Sequence, residues 1–315
     1  MTTTAATLTP GFSSRVSTYF YLRPKLLLTL FLLPPLLWLG IVYLGSLFAL
    51  LAQSFFQLDD FTGQVVYEPT LINYERLLGP VNLSIIGRTL GMAAIVTIIS
   101  GIIAFPIAYY MARYATGKTK ALFYVAVMLP LWSNYLVRVY SLRLILAKEG
   151  VIHWAFNELG LGGILNWILS QEYVPALQGS SLSTSHIGTC ITFVYIWLPY
   201  MILPLQAALE RVPRSFIEAS SDLGATPAQT FRKVIFPLAV PGVAAGSIFT
   251  FSLTLGDYII PQLIGSSRPF LGQAVYQFQG TAGDVPMAAA FAMAPIIIMA
   301  VYLSIAKRFG AFDAI

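Results

Sequence analysis

Six stretches of this chain are apolar for long enough to cross a lipid bilayer, and no other feature constrains its fold as strongly. They run near 26–54, 89–112, 121–147, 187–209, 238–260 and 287–306. A hydrocarbon core of about 30 Å takes roughly 20 helical residues. No water satisfies the backbone there, so a crossing segment must satisfy its own N–H and C=O groups as a helix. The expected architecture is an all-α membrane protein with six transmembrane helices. Charged residues make up only 10% of the chain, against about 25% in ordinary soluble domains. The first stretch is too long for a straight span, and Pro34-Pro35 within it predict a kink or break. It follows Arg23 and Lys25 as a signal peptide would, but its length and the lack of a small-residue cleavage site make it a retained anchor. Residues 1–25 read as a cytoplasmic tail, and 26–315 as one transmembrane domain.

Charge sets the orientation. Twelve of the 18 Lys and Arg residues fall on one side of the six-span layout, whereas 9 of the 13 acidic residues fall on the other. The side rich in Lys and Arg is the cytoplasmic one, which puts both termini inside. A net charge of +5 does not imply nucleic acid, because the basic residues cluster at span ends instead of forming a stripe with interleaved aromatics. The two larger outer loops, about 56–86 and 148–185, carry Trp154, Trp167 and several Tyr residues, which suits short surface helices. The single cysteine, Cys190, lies in an apolar run and reads as a small packed hydrophobe. His153 and His186 are too few and too isolated for a metal site and read as loop or interface residues. The chain has no GxxxxGK[ST] loop, so any ATP belongs to another protein.

The longest inner loop, about 210–237, is polar and helix-favouring: RSFIEASSDL, then TPAQTFRKVIF. Thr226 and Pro227 suit an N-cap and a first helical position. Gly224 lies between the halves, where a helix end wants a residue that accepts positive φ. The pattern predicts helix, tight turn, helix along the inner membrane face, or else a plain solvated loop.

Glu218-Ala219-Ser220, three residues, Gly224, nine residues, then Val234-Ile235-Phe236-Pro237 resembles the EAA loop of ABC importer permeases. That pattern reads Glu-Ala-Ala, three residues, Gly, nine residues, Ile, any residue, Leu-Pro. Ser220, Val234 and Phe236 depart from it conservatively. The stretches 128–153 and 239–265 and the six-span layout are similar to permeases of the spermidine/putrescine branch. The resemblance implies a type I ABC importer permease fold in a bacterial inner membrane. It implies pairing with a second, different permease, two cytoplasmic ATPases that bind ATP and Mg, and a periplasmic or extracellular binding protein. No cofactor is implied for this chain. The coupling set it implies is Glu218, Ala219, Ser220, Asp222, Leu223, Gly224, Ala225, Phe236 and Pro237. Glu218 and Ala219 would meet the ATPase, Gly224 would make the turn, and Pro237 would end the loop at span five. Gly224→Asp would uncouple transport without preventing insertion.

Polar groups inside spans usually face a cavity or another helix. Span three offers Trp132, Asn134, Arg138, Tyr140 and Arg143; span five offers Ser247, Thr250, Thr254, Asp257 and, beside it, Tyr258. Ser247, Thr250 and Thr254 share a helical face that lines a translocation path, or else they bond back to their own helix. Asp257 and Tyr258 suit a cation such as putrescine or spermidine, or Asp257 pairs with Arg138 or Arg143. Unpaired, those arginines would favour a zwitterionic or opine-like solute. A secondary transporter or channel is the rival class, although no inverted repeat is visible. A membrane-embedded enzyme lacks any catalytic constellation here.

Overall fold

A computed structural model describes residues 19–59, 61–170 and 181–308. They fall into two compact units that divide between Ser54 and Phe55. The long element of the first unit among the described residues is the helix α1 (Pro24–Gln53), with Pro24 in its first turn. Pro34-Pro35 do not break it. The helix widens into a π-helical stretch, Trp38–Leu44, and returns to α geometry at Gly45–Gln53. Beyond the two prolines the ladder resumes, with the Trp38 N–H reaching the Pro34 and Pro35 carbonyls.

The second unit opens with a two-stranded antiparallel hairpin, β1 (Gln57–Leu58) and β2 (Val65–Val66), then α2 (Ile72–Leu77). The long helix α3 (Pro80–Arg113) follows. It starts about two turns before the apolar segment expected at 89, because Pro80 is pre-set for a first helical turn.

The third expected span is not one helix. It divides into α4 (Gly117–Trp132) and α5 (Tyr135–Ile145), which meet at 96°. Ser133 and Asn134 adopt extended geometry, and the Asn134 side chain accepts the Leu136 and Val137 N–H groups, starting a new helix instead of continuing the old one. Short helices α6 (Val151–Glu158) and α7 (Gly162–Leu169) lie in the expected outer loop; residues 171–180 of that loop lie outside the described residues.

α8 (His186–Arg211) is capped by Ser185. Then come α9 (Arg214–Asp222), α10 (Pro227–Gly256), α11 (Ile259–Leu263), α12 (Leu271–Gly280) and α13 (Val285–Arg308). Among the described residues five long helices, or six spans with the α4–α5 pair counted as one, are apolar enough to cross a membrane. His153 and His186, expected in loops or at interfaces, are instead buried on α6 and α8.

α3, α8 and α10 form the core. Met92, Val96, Phe193, Ile196 and Trp197 fill one half, and Ala104, Ala108, Met111, Met201, Leu205 and Ala239 fill the other. Close approach depends on small residues. A Cβ on Gly242 would lie 2.4 Å from the Ala208 Cβ, and one on Gly246 would lie 3.0 Å from the Met201 carbonyl oxygen. Without a hydrophobic drive between helices in lipid, such backbone proximity supplies the van der Waals contact.

Candidate functional site

The loop at 210–237 folds as helix, turn, helix. α9 follows Pro213 and has no buried residue. Gly224 has φ +77°, the left-handed conformation that an L side chain resists. Its N–H donates to the Ser221 carbonyl at 2.8 Å, and the Ala225 N–H donates to the Ser220 carbonyl at 3.1 Å. These bonds satisfy carbonyls that the helix end would leave open. Thr226 then caps α10: its hydroxyl accepts the Gln229 N–H while the Gln229 side chain accepts the Thr226 N–H at 2.8 Å.

The second half is not a separate helix. Pro227–Thr230, a π-helical stretch Phe231–Ile235 and Phe236–Gly256 form one continuous rod. Pro237 lies inside that rod, in the first turn of its second α-helical part and next to the π stretch that accommodates its missing N–H.

The turn is fastened to the rod. The Ser220 and Thr230 hydroxyls are 2.9 Å apart, and Thr230 is buried. Ser220, a departure from the Ala of the resembling pattern, thus makes a bond that alanine lacks. Glu218, Ala219, Asp222, Leu223 and Gly224 are exposed, while Ser220 and Ala225 are half-buried. Around them opens a cavity of about 630 Å³, lined by Phe216, Ala219, Leu223, Ala225, Gln229 and Val234 among others. Leu223 is 88% exposed at its rim. Phe236 does not line that cavity. It packs near Phe105 and Phe231, with ring centroids 6.1 and 6.3 Å away, in a cluster that joins the base of α10 to α3.

The sequence reading missed Gln229 and Thr230. Thr226-Pro-Ala-Gln229 was a legible capping box; nothing local marked Thr230. Nearby, Lys120 and Glu210 form an ion pair, and the Arg113 guanidinium donates to the Val212 carbonyl at 2.9 Å.

The candidate path residues disperse. Thr250 and Thr254 are buried and donate to the Gly246 and Thr250 carbonyls at 3.0 and 2.8 Å. Ser247 donates to the Ala244 carbonyl at 2.7 Å and accepts from the Tyr302 hydroxyl at 2.8 Å. These are bonds back to their own helix, since a hydroxyl in an apolar interior takes the nearest carbonyl. Asn134 serves as the α5 cap, and Trp132 and Tyr140 are exposed.

Asp257 does not pair with Arg138 or Arg143. It accepts from the Tyr135 hydroxyl and from the Ile260 N–H at 2.8 Å. It lies beyond the end of α10, so the bond ties the start of α5 to the end of that rod. Tyr135 in turn stacks on Trp197, centroids 6.0 Å apart. The buried Nε and Nη1 of Arg138 have no hydrogen-bond partner among the described residues, and Arg143 is exposed in the last turn of α5. Tyr258 stacks on Tyr276 at 5.0 Å and 11°, and both line a cavity of about 390 Å³ beside Gly256 and Gln279.

Residues 104–311 match the family described as binding-protein-dependent transport system inner membrane component. The chain is 56% identical over 306 residues to the inner membrane ABC transporter permease protein YdcU of Escherichia coli K12, covering 97% of this chain and 96% of that protein. It is 30% identical over 241 residues to the spermidine/putrescine transport system permease protein PotB of the same organism, covering 76% and 82%. Among solved structures it is similar to a chain of a bacterial ABC transporter involved in import of the acidic polysaccharide alginate. The TM-score is 0.69 at 15% identity, over 94% of this chain and 98% of that one. A chain of the MetNI methionine ABC transporter gives 0.54 at 17% identity, over 76% and 99%. At these identities the likeness is one of fold.

Proposed function

The chain belongs to the binding-protein-dependent transport system inner membrane component family, and from that premise we propose what it carries and how it is driven. It is the permease subunit of an ABC importer. Its solute, on our reading, is a small cation of the polyamine type, putrescine or spermidine. The 30% identity to PotB supports this reading. So does the tyrosine-walled cavity at the outer end of α10, since stacked aromatic faces attract ammonium groups. The chain acts with a second permease, a pair of cytoplasmic ATPases that bind ATP and Mg, and a binding protein that delivers the solute.

The observation that carries the drive mechanism is the fastened turn. α9 exposes an apolar rim around Gly224, and the Ser220–Thr230 bond joins it to a rod that continues without interruption to Gly256. An ATPase surface docked on α9 and Leu223 moves when ATP draws the two ATPases together. Because the turn and the rod are one hydrogen-bonded body, the displacement passes to α10 as rigid motion. At the far end of α10, Asp257 holds Tyr135, so movement of the rod is felt at the α4–α5 break. Glu218, Ala219 and Asp222 supply the polar part of the docking face; Gly224 and Ala225 supply its shape.

Uptake of labelled putrescine and spermidine by cells lacking this chain, complemented with it, tests the solute. Restored uptake is the expected result. If neither polyamine enters while the assembly hydrolyses ATP, the solute assignment fails and zwitterionic amino-acid derivatives are the next class, with Arg138 as the group that would take their carboxylate.

A further inference from the structure

We propose that an anionic phospholipid binds between α10 and α13, with one acyl chain in the groove between them and its phosphate against Arg232. The groove holds about 440 Å³ and is lined by Phe236, Val240, Ala244 and Ser247 of α10 and by Tyr302 and Ile305 of α13. Its only hydroxyls, on Ser247 and Tyr302, bond to each other at 2.8 Å at the deep end. The walls therefore offer nothing to a polar solute, and the occupant is hydrocarbon.

Length and charge identify that hydrocarbon. Ser247 stands three turns from Phe236, about 16 Å at 1.5 Å per residue. That is half of a bilayer core of about 30 Å, the depth reached by the acyl chains of one leaflet.

The mouth is cationic. Arg232 lies four residues before Phe236, one turn along the same side of the helix, whereas its neighbour Lys233 faces the cavity at Gly224. Lys307 and Arg308 end the facing helix. All three are exposed, neither helix carries a carboxylate, and no ion pair among the described residues engages them. A phosphate placed there meets one to three unpaired cations while its chain fills the groove.

The test is lipid retention by the full chain in mild detergent, read by native mass spectrometry. The probes are phosphatidylglycerol and phosphatidylcholine with identical acyl chains. The expected result is at least tenfold tighter retention of phosphatidylglycerol. Arg232→Gln with Arg308→Gln should reduce that preference to near parity without changing the thermal midpoint in lipid-free detergent. Ala244→Phe, which fills the groove, should abolish retention of both lipids. Equal retention of the two lipids by the wild type overturns the proposal, as does a preference that survives the charge substitutions. Loss of the bound lipid when the second permease assembles also overturns it, and would make the groove a permease interface. If Ala244→Phe fails to fold, the two surface substitutions decide the matter alone.

Discussion

Replacing Gly224 separates the conformational demand of the turn from its surroundings. A Cβ at this position meets nothing within 4 Å, so a substitution adds no clash. The whole cost comes from holding φ near +77°, about 1–2 kcal/mol for an ordinary L residue, or roughly a 5- to 30-fold loss of the correct turn relative to alternatives. Asn tolerates the left-handed region best, Ala less well, and a β-branched residue worst. The expected order of function is Gly, Asn, Ala, Val. Gly224→Asp adds a negative charge two residues from Asp222 and should uncouple as well. The assay is solute uptake together with ATP hydrolysis in vesicles containing the whole assembly. A thermal midpoint in detergent shows that insertion and packing survive, since no buried atom is touched. Falling uptake with hydrolysis retained is the expected signature. The reasoning is refuted if Val supports uptake as well as Asn does, or if Asn fails as completely as Val.

Ser220→Ala and Thr230→Val should each speed hydrogen exchange across 220–230, consistent with loss of a bond of about 0.5–1.5 kcal/mol, and the double variant should add little; additive effects would show that the two hydroxyls act separately. Gly242→Ala should lower the thermal midpoint, since overpacking costs about 1–3 kcal/mol. Ala208→Gly should restore part of the loss and leave the part due to the Pro204 carbonyl, 3.0 Å from the new Cβ. Tyr135→Phe should destabilise by about 1–3 kcal/mol, because it takes the hydroxyl from a half-buried carboxylate, whereas Asp257→Asn keeps an acceptor oxygen for that hydroxyl and should cost less. Loss of uptake in Asp257→Asn with stability intact would instead mark that carboxylate as a solute ligand.

The turn at Gly224 was the most legible part of the sequence. Helix ends are local events, so Gly224, Thr226 and Pro227 announced themselves and stand as expected. The polar groups around Asp257 and along α10 were not legible, because partner choice is not local. Arg138 and Arg143 carry the charge that Asp257 was expected to meet, yet the group that Asp257 accepts from is the Tyr135 hydroxyl. Ser247, Thr250 and Thr254 share a face on paper, but their hydroxyls turn to carbonyls of their own helix.

Sequence by itself determined that the chain lives in a bilayer as long helices, because apolar length against membrane thickness leaves no other solution for the backbone. It also determined the exposed turn at Gly224, because positive φ and capping hydroxyls are written in single residues. Only the tertiary structure decided that α4 and α5 part at 96°, that α10 runs unbroken from Pro227 through Pro237 to Gly256, and that Ser220 is bonded to Thr230. Those outcomes depend on which groups meet after packing. Hydropathy records how much each residue avoids water, and carries no information about which neighbour it will find.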